Sequence, residues 1–220
     1  MRLVSDLVHL LREPVAEPQG ALVLNHGRGA DERDLYGLLE ALDPERRLLG
    51  VTTGAPLTGV PPGGRHWYLV PRVGYPDPVT FAGSYKQLTG FLDVLLAQRG
   101  IAWERTVIGG FSMGAVMSYA VALGPGRPAP GGLLAFSGFI PTVDAWHPDV
   151  TGRETRAFIH HGANDPVISV EFARRAREVL AAGGIEAEYL ETDAGHWLPP
   201  EALGPARRVV AAVGRAPVPE

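Results

Sequence analysis

The stretch TVIGGFSMGAVMSYAVAL, residues 106–123, combines two local patterns around one serine. Residues 106–111 form a short apolar run that predicts a strand, and residues 113–123 are small and apolar, which predicts a buried helix. Between them lies GFSMG, a G-x-S-x-G sequence whose glycines let strand and helix approach closely around a sharp turn. The five residues alone would also fit a Gly-rich turn with a buried serine, but the strand–turn–helix setting favours Ser112 as a nucleophile.

Outward from this stretch, short apolar strands alternate with helices through most of the chain. Strands are predicted at 21–25, 48–52, 106–111, 133–137, 157–160 and 187–190, with a weak edge strand over 3–12. Helices are predicted at 34–42, 84–98, 113–123, 171–182 and 202–213, and a long loop covers 56–78, broken only at 67–70. This alternation predicts one α/β domain over residues 1–220, with a mainly parallel sheet flanked by helices on both faces.

Bulk composition narrows the classes of protein. Net charge is −4 without a basic stripe, so no nucleic-acid partner is expected. The chain has no cysteine, which excludes disulfides, a thiol nucleophile and thiolate metal sites. No apolar run is long enough for a membrane span, and residues 1–12 do not resemble a signal peptide. We therefore expect a cytoplasmic protein, and no residue of the sequence is assigned to a metal.

A serine hydroxyl needs a base to remove its proton, and in a sheet of this kind functional groups collect on loops at the carboxyl ends of the strands. His196 fits this position, because it follows the strand at 187–190 and precedes the last helix. The alternative is a surface histidine in a polar loop. His147 is a weaker candidate, and the pair His160–His161 ends the strand at 157–160, where one ring is expected to pack or hydrogen-bond near the site.

A carboxylate must orient the base, and Asp165 lies in the loop directly after the strand at 157–160. The order serine, acid, histidine along the chain is the one that such sheets require. Asp165 could instead only cap the turn before the helix at 171–182, since Asn-Asp-Pro is good turn chemistry. Asp193 is the rival acid, but it is only three residues from His196 and is not expected to span the far side of the ring.

Negative charge develops on the substrate oxygen during acyl transfer, and fixed backbone N–H groups must meet it. Met113 follows the serine at a helix N-terminus and is predicted to supply one N–H. The Gly-rich turn HGRG at 26–29, directly after an early strand, is predicted to supply the other from Arg28.

Together these motifs resemble the phospholipase/carboxylesterase family of α/β-hydrolases, which includes the acyl-protein thioesterases. The matching stretches are LNHGRGAD (24–31), GGFSMGA (109–115), FSGFIP (136–141), HHGANDPVISV (160–170) and DAGHWLPPE (193–201). The resemblance implies the α/β-hydrolase fold with a minimal cap or none, because the segment 141–154 is short. It also implies cofactor-free hydrolysis of carboxylic esters of small molecules, with thioesters and lysophospholipids as alternatives.

The sequence leaves several points open. Trp67, Phe139, Val167 and Trp197 are candidate walls of the substrate pocket, although each would equally suit ordinary packing. The family's thioesterases commonly carry Gly-Leu-Gly where this chain has Gly27-Arg28-Gly29, and a cation there argues against a long acyl-protein substrate. A dienelactone-hydrolase-like activity would usually need a cysteine nucleophile. A non-catalytic binding module and a homodimer both stay open.

Overall fold

A computed structural model describes residues 7–213, and its centre is a seven-stranded sheet in the order β1-β3-β2-β4-β5-β6-β7. Strand β1 pairs antiparallel with β3, and all other neighbours are parallel. The strands are β1 His9–Arg12, β2 Ala21–Asn25, β3 Leu49–Thr53, β4 Thr106–Phe111, β5 Gly132–Phe136, β6 Arg156–Gly162 and β7 Ala187–Thr192. The helices are α1 Tyr36–Leu42, α2 Pro78–Gln98, α3 Met113–Ala122, α4 Glu171–Ala182 and α5 Leu203–Val213. This confirms the α/β-hydrolase fold.

Two hydrophobic cores cover the two faces of the sheet. Successive residues of a strand point to opposite faces, so Val23 joins the core under α2, α3 and α4, while Leu22 and Leu24 join the core under α1 and α5. Ile108 and Val107 divide in the same way. Because both faces are covered, the strands are continuous apolar runs rather than alternating ones.

The element boundaries differ from the predicted ones mainly at α2. This helix begins at Pro78, not at residue 84, because Asp77 caps it: its carboxylate accepts the Thr80 N–H at 2.9 Å, and proline occupies the first turn. The predicted edge strand over 3–12 forms at His9–Arg12, and its residues 3–6 lie outside the described part of the chain.

The carboxyl ends of the parallel strands form one edge of the sheet, and two long segments lie beside it. Residues 137–155, between β5 and β6, contain turns but no helix or strand, so they do not build a cap. Residues 54–77, between β3 and α2, likewise contain only turns and isolated bridges. No helix within residues 7–213 is both long and apolar enough to cross a membrane.

Candidate active site

Ser112 occupies the sharp turn between β4 and α3. Its φ of 54° and ψ of −119° place it in a strained left-handed conformation, which its backbone N–H stabilises by donating to the Phe136 carbonyl at 2.8 Å. A Cβ on Gly114 would lie 1.9 Å from the Asn25 carbonyl oxygen, and one on Gly110 would lie 2.5 Å from the same atom. The two glycines of the motif are therefore needed because β2 passes directly beside the turn.

His196 bridges the serine and a carboxylate. The Ser112 hydroxyl donates to His196 Nε2 at 2.9 Å, and His196 Nδ1–H donates to Asp165 Oδ2 at 2.6 Å. The His196 ring carries its proton on Nδ1, because the ionised Asp165 carboxylate that faces this nitrogen can only accept a hydrogen bond. The imidazole packs on the Phe111 ring with centroids 4.9 Å apart, which holds its plane. Three side chains distant in sequence thus form one hydrogen-bonded chain that can move a proton from hydroxyl to imidazole.

The Asp165 carboxylate is fully buried and uses each oxygen for a different purpose. Oδ2 faces His196, whereas Oδ1 accepts the backbone N–H groups of Val167 at 2.8 Å and Ile168 at 2.9 Å. Burial alone would raise the pKa of Asp165, but the hydrogen bonds from His196 and from these two amides outweigh it and hold the pKa below its usual range. The turn-capping role and the histidine-orienting role are compatible, because separate atoms fill them.

The other acid and histidines considered from the sequence are not in this chain of bonds. Asp193 is exposed, and the side-chain partner of His196 Nδ1 is Asp165. His147 is exposed and lines a separate cavity with Trp146 and Phe172.

The paired histidines at the end of β6 lie close to the site. His161 Nε2–H donates to the Ile168 carbonyl at 2.8 Å and is 3.3 Å from Asp165 Oδ2. Burial lowers the pKa of His161, so the ring is neutral and faces the carboxylate with an N–H dipole rather than a charge. His160 Nε2 is 3.0 Å from Thr192 Oγ1. The prediction that one of these two rings hydrogen-bonds near the site is therefore confirmed, and that ring belongs to His161.

Ser112 and His196 line a cavity of about 410 Å³ with largely apolar walls, and the buried Asp165 carboxylate lies behind the imidazole. The loop 68–76 supplies more of the wall than any other segment, and Leu69 N–H, which donates to Thr80 Oγ1 at 3.0 Å, ties it to α2. This contribution could not be read from the sequence, because a long loop carries no periodic pattern. A larger open cleft of about 1240 Å³ lies at the opposite edge of the sheet and contains none of the three side chains.

Two of the four predicted wall residues line this cavity, namely Phe139 and Val167. Trp67 does not: it is fully buried, and its indole N–H donates to the His26 carbonyl at 3.0 Å, so it supports the turn behind the cavity. Trp197 is 56% exposed and also lies outside the wall, because the chain turns after His196 and directs the indole to solvent.

Arg28 and Met113 both line the cavity beside Ser112. Within residues 7–213 neither backbone N–H donates to a protein acceptor, so both are available to a bound group. A Cβ on Gly27 would lie 3.6 Å from the Ser112 Cβ, so the HGRG turn is directly against the serine. This arrangement suits two donors converging on one oxygen.

Acid is expected to destabilise the fold through His160. Burial lowers the pKa of His160, and the neighbouring His161 acts in the same direction, so the pKa falls to about 4. The unfolded chain binds this proton near pH 6.5, so the free energy of unfolding falls as pH drops from about 6.5 to about 4, and His160 accounts for about 2 kcal/mol at about pH 5. Denaturant titrations near pH 7.5 and pH 5 should show a smaller acid loss for His160→Gln, and an equal loss in both proteins would contradict this assignment.

Comparison with known proteins gives one consistent result. The profile of the Phospholipase/Carboxylesterase family matches residues 10–211. The acyl-protein thioesterase 1 homolog 1 of Dictyostelium discoideum is 22% identical over 203 residues, which cover 88% of this chain and 90% of that one.

Two solved structures share the architecture. The carboxylesterase of Bacillus cereus superposes with a TM-score of 0.83 at 20% identity, covering 94% of this chain and 95% of that chain. Esterase PE8 superposes with a TM-score of 0.82 at 26% identity, covering 94% and 99%. The chain belongs to the phospholipase/carboxylesterase family of α/β-hydrolases and is a hydrolase of the carboxylesterase type, as its motifs predicted.

Proposed function

We propose that the protein is a serine carboxylesterase that hydrolyses small-molecule carboxylic esters through an acyl-enzyme, with Ser112, His196 and Asp165 as its catalytic triad. The observation that carries the proposal is the pair of hydrogen bonds, 2.9 Å and 2.6 Å, that joins these side chains at an apolar cavity. Family membership supports the reaction class.

In the first step, Ser112 Oγ attacks the ester carbonyl carbon while His196 Nε2 takes the hydroxyl proton. The negative charge that develops on the carbonyl oxygen is stabilised by the backbone N–H groups of Arg28 and Met113, the second of which also lies at the N-terminus of α3. The C–O bond to the alcohol then breaks, and the imidazolium donates its proton to the leaving oxygen, which gives an acyl-enzyme and free alcohol.

In the second step, water repeats the attack on the acyl carbon and His196 accepts its proton. Collapse of the tetrahedral intermediate returns the proton to Ser112 Oγ and releases the carboxylic acid. Asp165 stays ionised throughout, because its pKa is held low, and it stabilises the imidazolium formed in each step.

The cavity indicates the size and polarity of the substrate. Its walls include Tyr68, Val70 and Phe139, which suit an apolar acyl group, and its volume of about 410 Å³ suits a small ester. The likeness to an acyl-protein thioesterase makes thioesters the second substrate class to test.

A substrate panel tests this assignment. We expect turnover of p-nitrophenyl acetate and butyrate, and a fall in kcat/KM for long acyl chains, because these exceed the cavity. An acyl thioester and a lysophospholipid complete the panel. Turnover of the lysophospholipid alone would contradict a small-molecule esterase.

A fluorophosphonate probe distinguishes an enzyme from a binding module on the same fold. The probe phosphonylates only a serine that is activated by its base, so we expect one label per chain at Ser112. An unlabelled native protein without esterase activity would overturn the proposal.

The cytoplasmic location and the single-domain span stay predictions, and whether the protein forms a homodimer stays open.

A further inference from the structure

His26, the residue after β2, makes contacts that the mechanism above does not use. It is 1% exposed and does not line the cavity, and its ring packs on Trp67 with centroids 5.7 Å apart. Its backbone carbonyl accepts the Trp67 indole N–H. The side chain is therefore enclosed behind the HGRG turn rather than exposed to substrate.

Both ring nitrogens of His26 have defined partners. Nε2 accepts the backbone N–H of Ala55 at 3.0 Å, so in the neutral ring the proton must be on Nδ1. Nδ1–H then donates to the Gly27 carbonyl at 2.7 Å. Burial lowers the pKa of His26, which keeps the ring neutral and this tautomer in place.

The Gly27 carbonyl belongs to the same peptide unit as the Arg28 N–H. This peptide is trans, so its C=O and N–H point in opposite directions. The Gly27 carbonyl also accepts the Ala30 N–H at 3.4 Å, a longer bond than the 2.7 Å bond from His26. A carbonyl held on the buried side chiefly by His26 consequently turns the Arg28 N–H to the cavity side. The Arg28 side chain fixes this peptide less firmly than His26 does. It is exposed, and its guanidinium donates to the Pro61 carbonyl at 3.2 Å.

We propose that His26 is a positioning residue for catalysis: as the Nδ1–H tautomer it fixes the Gly27–Arg28 peptide so that the Arg28 N–H meets the oxyanion. The proposal rests on the function proposed above. Gly29 strengthens the arrangement, because its N–H donates to the Arg65 carbonyl at 3.0 Å and anchors the far side of the turn. His26 itself touches neither the substrate nor the reacting atoms.

Two substitutions separate the two bonds of the ring. In His26→Asn the amide nitrogen takes the place of Nδ1 and can still donate to the Gly27 carbonyl, but the bond from Ala55 is lost. In His26→Gln the amide oxygen can take the place of Nε2 and accept from Ala55, but the donor to Gly27 is lost. His66→Gln is the matched control, since His66 is also buried and its Nε2 bonds to the Gly63 carbonyl, away from the cavity.

The readout is the ratio of kcat on p-nitrophenyl acetate to kcat on its thionoester, in which sulfur replaces the carbonyl oxygen. Sulfur is a poor hydrogen-bond acceptor, so this ratio reports how well the N–H groups stabilise the oxyanion. Loss of an oxyanion donor lowers kcat about 10²- to 10³-fold, and we expect His26→Gln to lose about 10- to 100-fold in kcat on the oxygen ester, with little change in KM. The oxygen-to-sulfur ratio should fall with it, whereas His26→Asn and His66→Gln should keep the native ratio.

The outcomes separate the two proposals. If the native enzyme hydrolyses the ester and reacts with the fluorophosphonate while His26→Gln keeps native kcat and the native ratio, the role of His26 is refuted and the esterase stands. If the native protein does neither, the esterase itself fails. If His26→Gln does not fold, His26→Ala and His26→Asn decide together, because both lose the bond from Ala55 but only His26→Asn keeps a donor to the Gly27 carbonyl. A ratio that is lowered in His26→Ala alone supports the role of the Nδ1 donor, and any other pattern contradicts it.

Discussion

Replacing Ser112 with alanine is expected to lower kcat for p-nitrophenyl acetate by about 10⁶-fold, which is the loss seen when the nucleophile of a comparable triad is removed. Without Oγ no acyl-enzyme forms, and the two backbone N–H groups and the cavity provide only the residual rate. The fold should be unaffected, because the Ser112 hydroxyl has His196 as its side-chain partner and the turn is held by backbone bonds.

The matched control is Ser169→Ala, since Ser169 is exposed near the same edge of the sheet but does not line the cavity. It should keep native kcat and bind the fluorophosphonate. Thermal melts and near-ultraviolet circular dichroism should superimpose for the native protein and Ser112→Ala. Ser169→Ala loses the 3.4 Å bond from the Glu171 N–H to Ser169 Oγ and should melt slightly lower. A Ser112→Ala protein with more than about one hundredth of native kcat would assign the nucleophile elsewhere.

Replacing Asp165 with asparagine should lower kcat by about 10⁴-fold, while leaving the protein folded. The asparagine oxygen can still accept the amides of Val167 and Ile168, which keeps the turn. Its NH₂ group, however, faces His196 Nδ1 and favours the tautomer with the proton on Nε2. That nitrogen then cannot accept the Ser112 proton, so the serine loses its base.

Asp193→Asn is the control for this experiment, because it removes a neighbouring negative charge three residues from His196 that makes no bond to the ring. It should retain native kcat within a few-fold. The measurement is kcat together with the rate of fluorophosphonate labelling, and both should fall for Asp165→Asn. A large loss in Asp193→Asn, with little in Asp165→Asn, would exchange the roles of the two acids.

The sheet and the proximity of Ser112, Asp165 and His196 could be predicted from the sequence, because both follow from the order of strands and helices along the chain. Strand–helix alternation defines a parallel sheet, and residues just after its strands must converge on one edge. The positions of Arg28 and Met113 beside the serine follow from the same rule. Helix α2 was underestimated because its capping Asp77-Pro78 pair was interpreted as the end of a loop.

The cavity wall was much harder to predict than the site. Trp67 lies in the long loop before α2 and Trp197 directly follows His196, yet the first is buried behind the HGRG turn and the second is directed to solvent. Their directions depend on long-range contacts, such as the bond from the Trp67 indole to the His26 carbonyl, that no local pattern specifies. The same holds for the ring of His26, whose Nε2 accepts the backbone N–H of Ala55, 29 residues away.

The loop 68–76 forms much of the cavity wall, but the proposed nucleophile, acid and base follow the ends of strands β4, β6 and β7. In the proposed mechanism, selectivity and reactivity therefore reside in physically separate parts of the molecule. Laboratory libraries that vary the exposed residues 71–73 and 75 of this loop should therefore change the preference for acyl groups, while the proposed proton-transfer groups and the two hydrophobic cores stay as they are.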